Sequence, residues 1–409
     1  MPLAVAFVAA AVLGGAAAPS AASTTAPADA VRDAEYWLDD YGIRDAWVTT
    51  RGAGVTIAVI DTGVGDPPEL QDVVIGGTDF SGLGSSDGRT PVGTEGEHGT
   101  LVASLAAGRG TGSVSGVIGS APEASVLAIS IGIDGGDSDQ QIADAVRWAV
   151  DHGADVINMS LTRNTLDWPE SWDDAFAYAM DRDVVIVAAA GNRGSGSEEV
   201  GAPATMPGVL TVAGVDRAGQ ASLRASAQGV TIGVSAPSED LVGVMPDGSY
   251  VRWSGTSGAT PIVAGVVALV MAAHPELDAA NVINRITATA HDVGDSGTDV
   301  VYGFGLLDAD AAVTAEVPLV DANPMGDLDE WIRVNRPHLA SDDAVEAEPA
   351  PVAQPVPARP FDPVGMLLPT PLLLSRVGAP LLGALLVGFV AGGFVIGGVR
   401  AFGGYSRRR

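Results

Sequence analysis

Apolar positions follow two alternating patterns along this chain. Val55-Thr56-Ile57-Ala58-Val59-Ile60 is an unbroken β-rich run closed by Asp61-Thr62-Gly63, as expected of a parallel strand buried on both faces. Runs of the same kind recur at residues 125–131, 155–159, 184–190 and 209–215. Helical spacing lies between them. Residues 140–151 put Ile142, Val146, Ala149 and Val150 on one face, and Asp137, Ser138 and Asp139 supply N-cap candidates ahead of it. This alternation predicts an α/β fold with a mostly parallel central sheet. Asp61 then stands at the carboxyl end of a strand, where open α/β sheets place their ligands. From Thr256 to Ala273 the chain is almost uncharged and apolar on all sides. About eighteen residues is marginal for a bilayer span, and Thr256, Ser257, Thr260 and Pro261 fill the first turns. The segment therefore reads as a buried core helix with Ser257 at its amino end.

The chain ends carry different signals. Residues 3–18 are apolar and alanine-rich, followed by the small-residue cleavage candidates Ser20-Ala21-Ala22 and Ala26-Pro27-Ala28, so residues 1–28 are expected to be a secretory signal peptide. A basic n-region is missing; either the amino terminus alone supplies that charge or the segment begins slightly upstream. Residues 377–399 contain no charge and are long enough to cross a bilayer, with Arg376 before them and Arg400, Arg407, Arg408 and Arg409 after them. The arginine excess predicts a cytoplasmic tail at 400–409 and, with an exported amino terminus, one C-terminal transmembrane helix holding the rest outside the cell. Residues 315–371 form an acidic Pro/Ala-rich linker, whose 341–363 stretch repeats Pro-x-Pro without apolar periodicity. Residues 316–340, with Trp331, read either as a segment packed on the domain or as a short helical spacer.

Three segments carry chemistry, in fixed order: Val59-Ile60-Asp61-Thr62-Gly63-Val64, His98-Gly99-Thr100 and Gly255-Thr256-Ser257-Gly258-Ala259-Thr260-Pro261. A serine hydroxyl is a weak nucleophile at neutral pH, so an imidazole must take its proton and a carboxylate must orient that imidazole. The order acid, base, nucleophile is that of subtilisin and differs from the orders of chymotrypsin-type enzymes and α/β-hydrolases. On these residues the chain resembles the subtilisin-like serine proteases, the subtilases. The resemblance implies a three-layer αβα domain over 55–314 that hydrolyses peptide bonds through an acyl-enzyme, with Asp61 as orienter, His98 as general base and acid, and Ser257 as nucleophile. Ala188-Ala189-Ala190-Gly191-Asn192 resembles the family segment that supplies the oxyanion donor, which assigns that role to Asn192 with the Ser257 backbone N–H. It also implies a substrate groove walled by Ser160, Leu161 and Thr162 on one side, with Ala190, Gly191 and Arg193 at the primary pocket. Thr162-Arg163 stand where a glycine is common, making that wall bulkier and more basic. An inward-facing Arg193 would favour acidic or neutral substrate residues, and Glu198 and Glu199 would offset it. Gly258-Ala259 after the serine depart from the commonest family form at positions that contribute mainly backbone.

The layout is similar to that of the mycosins, membrane-anchored subtilases associated with type VII secretion, which also end in a Pro-rich linker and one span. Secretion-system components are therefore expected partners, beside protein or peptide substrates and the membrane. Mycosins generally contain disulfides, which this chain cannot form. About thirty residues between the cleavage candidates and the first strand are too few for a folded propeptide domain. Residues 29–54, with Glu35-Tyr36-Trp37-Leu38-Asp39-Asp40-Tyr41 and Ala46-Trp47, are expected to pack on the catalytic domain instead.

Composition narrows the rest. About 280 residues remain for folding once the ends are set aside, enough for one α/β core. Fifty acidic against 21 basic residues give a formal charge of −29, which disfavours nucleic acid and anionic lipid as partners. With no cysteine, stability must come from packing and thiolate metal sites are excluded. No cofactor is required. A structural calcium is open, since Asp134-Gly135-Gly136-Asp137-Ser138-Asp139 has oxygen ligands without EF-hand spacing. A catalytically silent scaffold would be expected to lose a triad member or Asn192, and none is lost. A serine esterase of the α/β-hydrolase type would need Gly-x-Ser-x-Gly and the opposite chain order.

Overall fold

A computed structural model describes residues 29–133 and 138–336. The expected signal peptide, the linker beyond 336, the 377–399 span and the 400–409 tail lie outside the described residues, as does most of the calcium-candidate loop.

Seven parallel strands form the central sheet: β1 (Thr56–Asp61), β2 (Val74–Asp79), β3 (Ser125–Ser130), β4 (Val156–Met159), β5 (Val185–Ala189), β6 (Leu210–Val215) and β7 (Ile232–Pro237), in the order β2-β3-β1-β4-β5-β6-β7. The five apolar runs of the sequence are the five inner strands. The two outermost strands lack such a run because their own sequences dilute the signal: β2 contains Gly76 and Gly77 and is mostly half-buried, and β7 contains Gly233, Ser235 and Pro237. An antiparallel pair, β8 (Leu241–Val244) and β9 (Tyr250–Trp253), stands apart from this sheet.

Alternate residues of each strand feed two separate cores. On one face Ile57, Val59, Val126, Val187 and Val212 meet helices α3 (His98–Ala107), α6 (Thr256–Ala273) and α7 (Ala279–Ala288). On the other, Ala58, Ile60, Leu127, Ile157 and Ile186 meet α4 (Ser138–Asp151) and α5 (Glu170–Met180). These are the three layers, αβα. Helix α6 lies against β4, β5, β6 and β7, and its residues from Gly258 to Val270 are buried. Among the described residues it alone is long and apolar enough to cross a membrane, and its burial makes it an internal core helix.

The first described segment is fastened by a buried contact between Arg32 and Glu35. Short helices α1 (Trp37–Asp40) and α2 (Ile43–Ala46) bury Trp37, Leu38 and Ile43 completely. Arg32 donates to the Gly116 carbonyl, Glu35 accepts from the Ile118 N–H at 2.7 Å, and the two side chains meet at 2.9 Å. Burial pushes the Glu35 carboxyl up to about 8, against the Ile118 bond and the Arg32 charge. Past the short α8 (Ala309–Thr314), the alternatives left open for this stretch meet in one short helix, which follows an irregular segment and packs on the domain. Helix α9 (Leu328–Asn335) packs on α5 and sets Trp331 against Trp168 in the loop before α5, ring centroids 4.3 Å apart. Asp173, fully buried, accepts from Trp168 Nε1 at 2.6 Å and from Arg336 Nε at 2.7 Å.

Candidate active site

Asp61 ends β1 with its side chain wholly buried. Its Oδ1 accepts the Thr62 N–H at 2.7 Å, and both carboxylate oxygens face His98 Nδ1, at 2.8 and 3.0 Å. A carboxylate there fixes the imidazole proton on Nδ1 and leaves Nε2 open as an acceptor. His98 is the first residue of α3, and Gly99 after it lets that helix approach β1: a Cβ at Gly99 would stand 2.3 Å from the Gly63 carbonyl oxygen. Burial pulls the His98 pKa down, but the charge and hydrogen bond of Asp61, with Glu95 and Glu97 nearby, outweigh it and hold the imidazole above its ordinary 6.5. Trp253 stands edge-on to the ring, centroids 5.9 Å apart.

Ser257 lies in the first turn of α6, where the helix dipole presents its positive end. Pro261, four residues on, has no N–H to give the Ser257 carbonyl its helical partner. Ser160, just past β4, fills the gap: its hydroxyl donates to the Ser257 carbonyl at 2.9 Å and accepts from Asn158 Nδ2 at 3.0 Å. In return Ser257 Oγ donates to the Ser160 carbonyl at 3.1 Å. Among the described residues no Ser257–His98 hydrogen bond is made, the Ser257 hydroxyl being turned to Ser160. Loose nucleophile–base contacts are common before substrate binds.

Asn192 follows β5. Its Oδ1 accepts from Thr256 N at 2.8 Å and from Thr256 Oγ1 at 3.1 Å, which commits the oxygen and leaves the Nδ2 donors for another acceptor. The Gly191 N–H bonds Thr256 Oγ1 and the Ala190 N–H bonds the Val212 carbonyl. Asp61, His98, Ser257, Asn192, Ser160, Ala190 and Gly191 thus meet where strand ends and two helix amino ends converge. Thr256 as the clamp on Asn192, Ser160 as the partner of Ser257, and Trp253 were not singled out from sequence for these contacts. The Pro four residues after the serine is the one sequence signal that pointed to an orphaned carbonyl.

The remaining groove residues divide. Leu161 and Thr162 border a cavity of about 470 Å³ with Ile131, Ile133 and Ile142. Arg163, in the lining of that cavity, is ion-paired with Asp139, so the wall is less basic than its sequence suggests. Arg193 lines a different cavity, of about 650 Å³, with Glu198, Glu199 and Val230. Thr162 and Gly191 are absent from its lining. Among the described residues no group of His, Asp and Glu side chains is arranged to hold a metal ion.

An acid, an imidazole and a helix-borne serine in this arrangement define a serine protease of the subtilisin class. The family model described as "Subtilase family" matches residues 52–305, and the chain belongs to that family. It is 36% identical to subtilisin DY of Bacillus licheniformis over 269 residues, covering 64% of this chain and 92% of that protein. It is also 36% identical to Mycosin-3 of Mycobacterium tuberculosis over 331 residues, 67% of this chain and 70% of that one. Fervidolysin of Fervidobacterium pennivorans is 34% identical over 320 residues, 69% of this chain, but the chain spans only 44% of that protein's length. Among solved structures, MycP1 with its N-terminal propeptide removed matches with a TM-score of 0.62 at 33% identity, covering 70% of this chain and 98% of that one. The MycP3 protease of the type VII (ESX-3) secretion system matches with a TM-score of 0.58 at 34% identity, covering 69% and 88%. The protein is a mycosin-like subtilase.

Proposed function

We propose that this chain is a membrane-tethered endopeptidase that cleaves exported proteins outside the cell, with Asp61, His98 and Ser257 as its triad and Asn192 as its oxyanion donor. The observation that carries the reading is the double contact of Asp61 with His98 Nδ1 beside a serine at a helix amino end. In the reaction Ser257 Oγ leaves the Ser160 carbonyl, gives its proton to His98 Nε2 and attacks the substrate carbonyl carbon. The developing oxyanion accepts from Asn192 Nδ2 and the Ser257 N–H, both fixed beforehand. His98 then passes the proton to the departing amine, leaving an acyl-enzyme that water hydrolyses by the same steps in reverse. No cofactor enters.

Two observations support this location. The uncharged 377–399 segment followed by arginines favours a single span with a cytoplasmic tail and the catalytic unit outside. The likeness to MycP1 and MycP3, described as belonging to type VII secretion systems, favours secretion-system components as partners and exported proteins as substrates. A membrane-impermeant fluorophosphonate tests both. Intact cells expressing the full chain should label it, and Ser257→Ala should abolish the label. Labelling in lysate but not in intact cells would overturn the outward placement. No labelling in either, or labelling that survives Ser257→Ala, would overturn the hydrolase reading in favour of a silent scaffold.

A further inference from the structure

An acyl carbon attacked by Ser257 Oγ, with its oxygen on Asn192 Nδ2, must sit where the chain leaving β4 and the chain leaving β5 pass the start of α6. Those chains are paired as far as Met159 and Ala188, and then part. Ala190 turns to the Val212 carbonyl of β6, whereas residue 160 is held to Ser257. The wedge opened between them is where a side chain on the residue whose carbonyl is attacked would enter. Its far end is closed by the turn after Val200, tied to the first wall by the Arg163 N–H on the Ala202 carbonyl at 2.8 Å.

Thr162 occupies this wedge. Its Cγ2 lies 3.2 Å from where a Cβ on Gly191 would stand, and its Oγ1 lies 2.7 Å from where a Cβ on Gly201 would stand. One β-branched side chain therefore reaches from one wall to the other and to the floor, and both facing positions are glycine. Neither wall can retreat. Behind Gly191 the buried Ser197 Cβ is 3.0 Å from the same Cβ position, and its hydroxyl is bonded to Asn164. The Thr162 hydroxyl is directed at the Arg163 carbonyl at 3.2 Å, which turns the methyl toward Gly191. Arg193 lines the separate 650 Å³ cavity, so the selection here is by size and not by charge.

We infer that Thr162 sets the primary specificity of this enzyme, admitting only glycine, alanine or serine immediately before the scissile bond. The inference rests on the endopeptidase reading above. A misfit of one methylene in an apolar pocket changes kcat/KM by roughly 10- to 200-fold, so a benzyl group is excluded by at least about 100-fold.

The test uses the full chain in detergent and internally quenched peptides built on one casein site, varied only at that residue among Ala, Leu and Phe. The wild type should cleave the Ala peptide at least about 100-fold better than the Phe peptide. Thr162→Gly should raise the Phe-to-Ala ratio of kcat/KM at least about tenfold, with Thr162→Ser, which removes only the methyl, in between. Fluorophosphonate labelling reports whether each variant's site is assembled, and Thr162→Ala carries the same expectation should Thr162→Gly not fold. Equal cleavage of Phe and Ala peptides by the wild type overturns the inference, as do labelled variants with an unchanged ratio; the endopeptidase reading stands in both cases. A wild type that neither labels nor cleaves overturns both.

Discussion

Two clasps hold this molecule together at opposite layers, and they are satisfied to different degrees. Around Asp173 a fully buried carboxylate has both oxygens engaged, by Trp168 and Arg336, and nothing is left for a ligand. Around the start of α6, Thr256 grips Asn192 Oδ1 and Ser160 is bonded to Ser257, while three groups stay uncommitted: Nδ2 of Asn192, Nε2 of His98 and a hydroxyl on Ser257 that can change partners. Full satisfaction of a buried polar group serves stability, because an unpaired one costs several kcal/mol. Donors held in place yet uncommitted serve chemistry, because they are already aimed when charge develops.

The contrast breaks most severely at Asn192. Asn192→Ala should lower kcat by 10²- to 10³-fold, the effect seen when the corresponding donor is removed from a subtilisin, while costing about 1 kcal/mol of stability for its bonds to Thr256. Peptide hydrolysis and urea denaturation on the same preparation separate the two. A loss of stability that matches the loss of rate would make Asn192 a structural residue. Arg336→Ala should do the reverse, costing about 3 kcal/mol by stranding the buried Asp173 with kcat/KM unchanged. An activity loss there would mean the two clasps are coupled. The smallest effect sharpens the comparison. The imidazole must be neutral to accept a proton and its pKa is raised, so activity should appear only as pH climbs past a midpoint above 6.5. Glu97→Gln, by removing one of the charges that raise it, should move that midpoint down by a fraction of a unit in a kcat/KM profile.

The inner strands were legible because burial on both faces leaves an uninterrupted apolar run, as from Val55 to Ile60. The terminal strands were not, because Gly76, Gly77, Gly233 and Pro237 interrupt the pattern. Asp61, His98 and Ser257 stand out because each has its own glycine-bearing motif. Their neighbours depend on contacts across long stretches of chain, which local sequence does not encode. Thr256 grips an asparagine 64 residues upstream, and Arg163 spends its charge on Asp139, 24 residues upstream. That Thr162 is bulkier than glycine was plain from sequence. Its reach to both Gly191 and Gly201 required the fold.

The fastening at Arg336 also has a mechanical side. Tension arriving along the chain at residue 336 meets first the Arg336 side chain, bonded to Asp173 and to the Trp168 carbonyl at 3.1 Å, and next the Trp331–Trp168 contact. Both discharge into α5 and the loop before it, across the sheet from α3 and α6. A pull on the carboxyl end is thus delivered first to the layer that carries neither His98 nor Ser257.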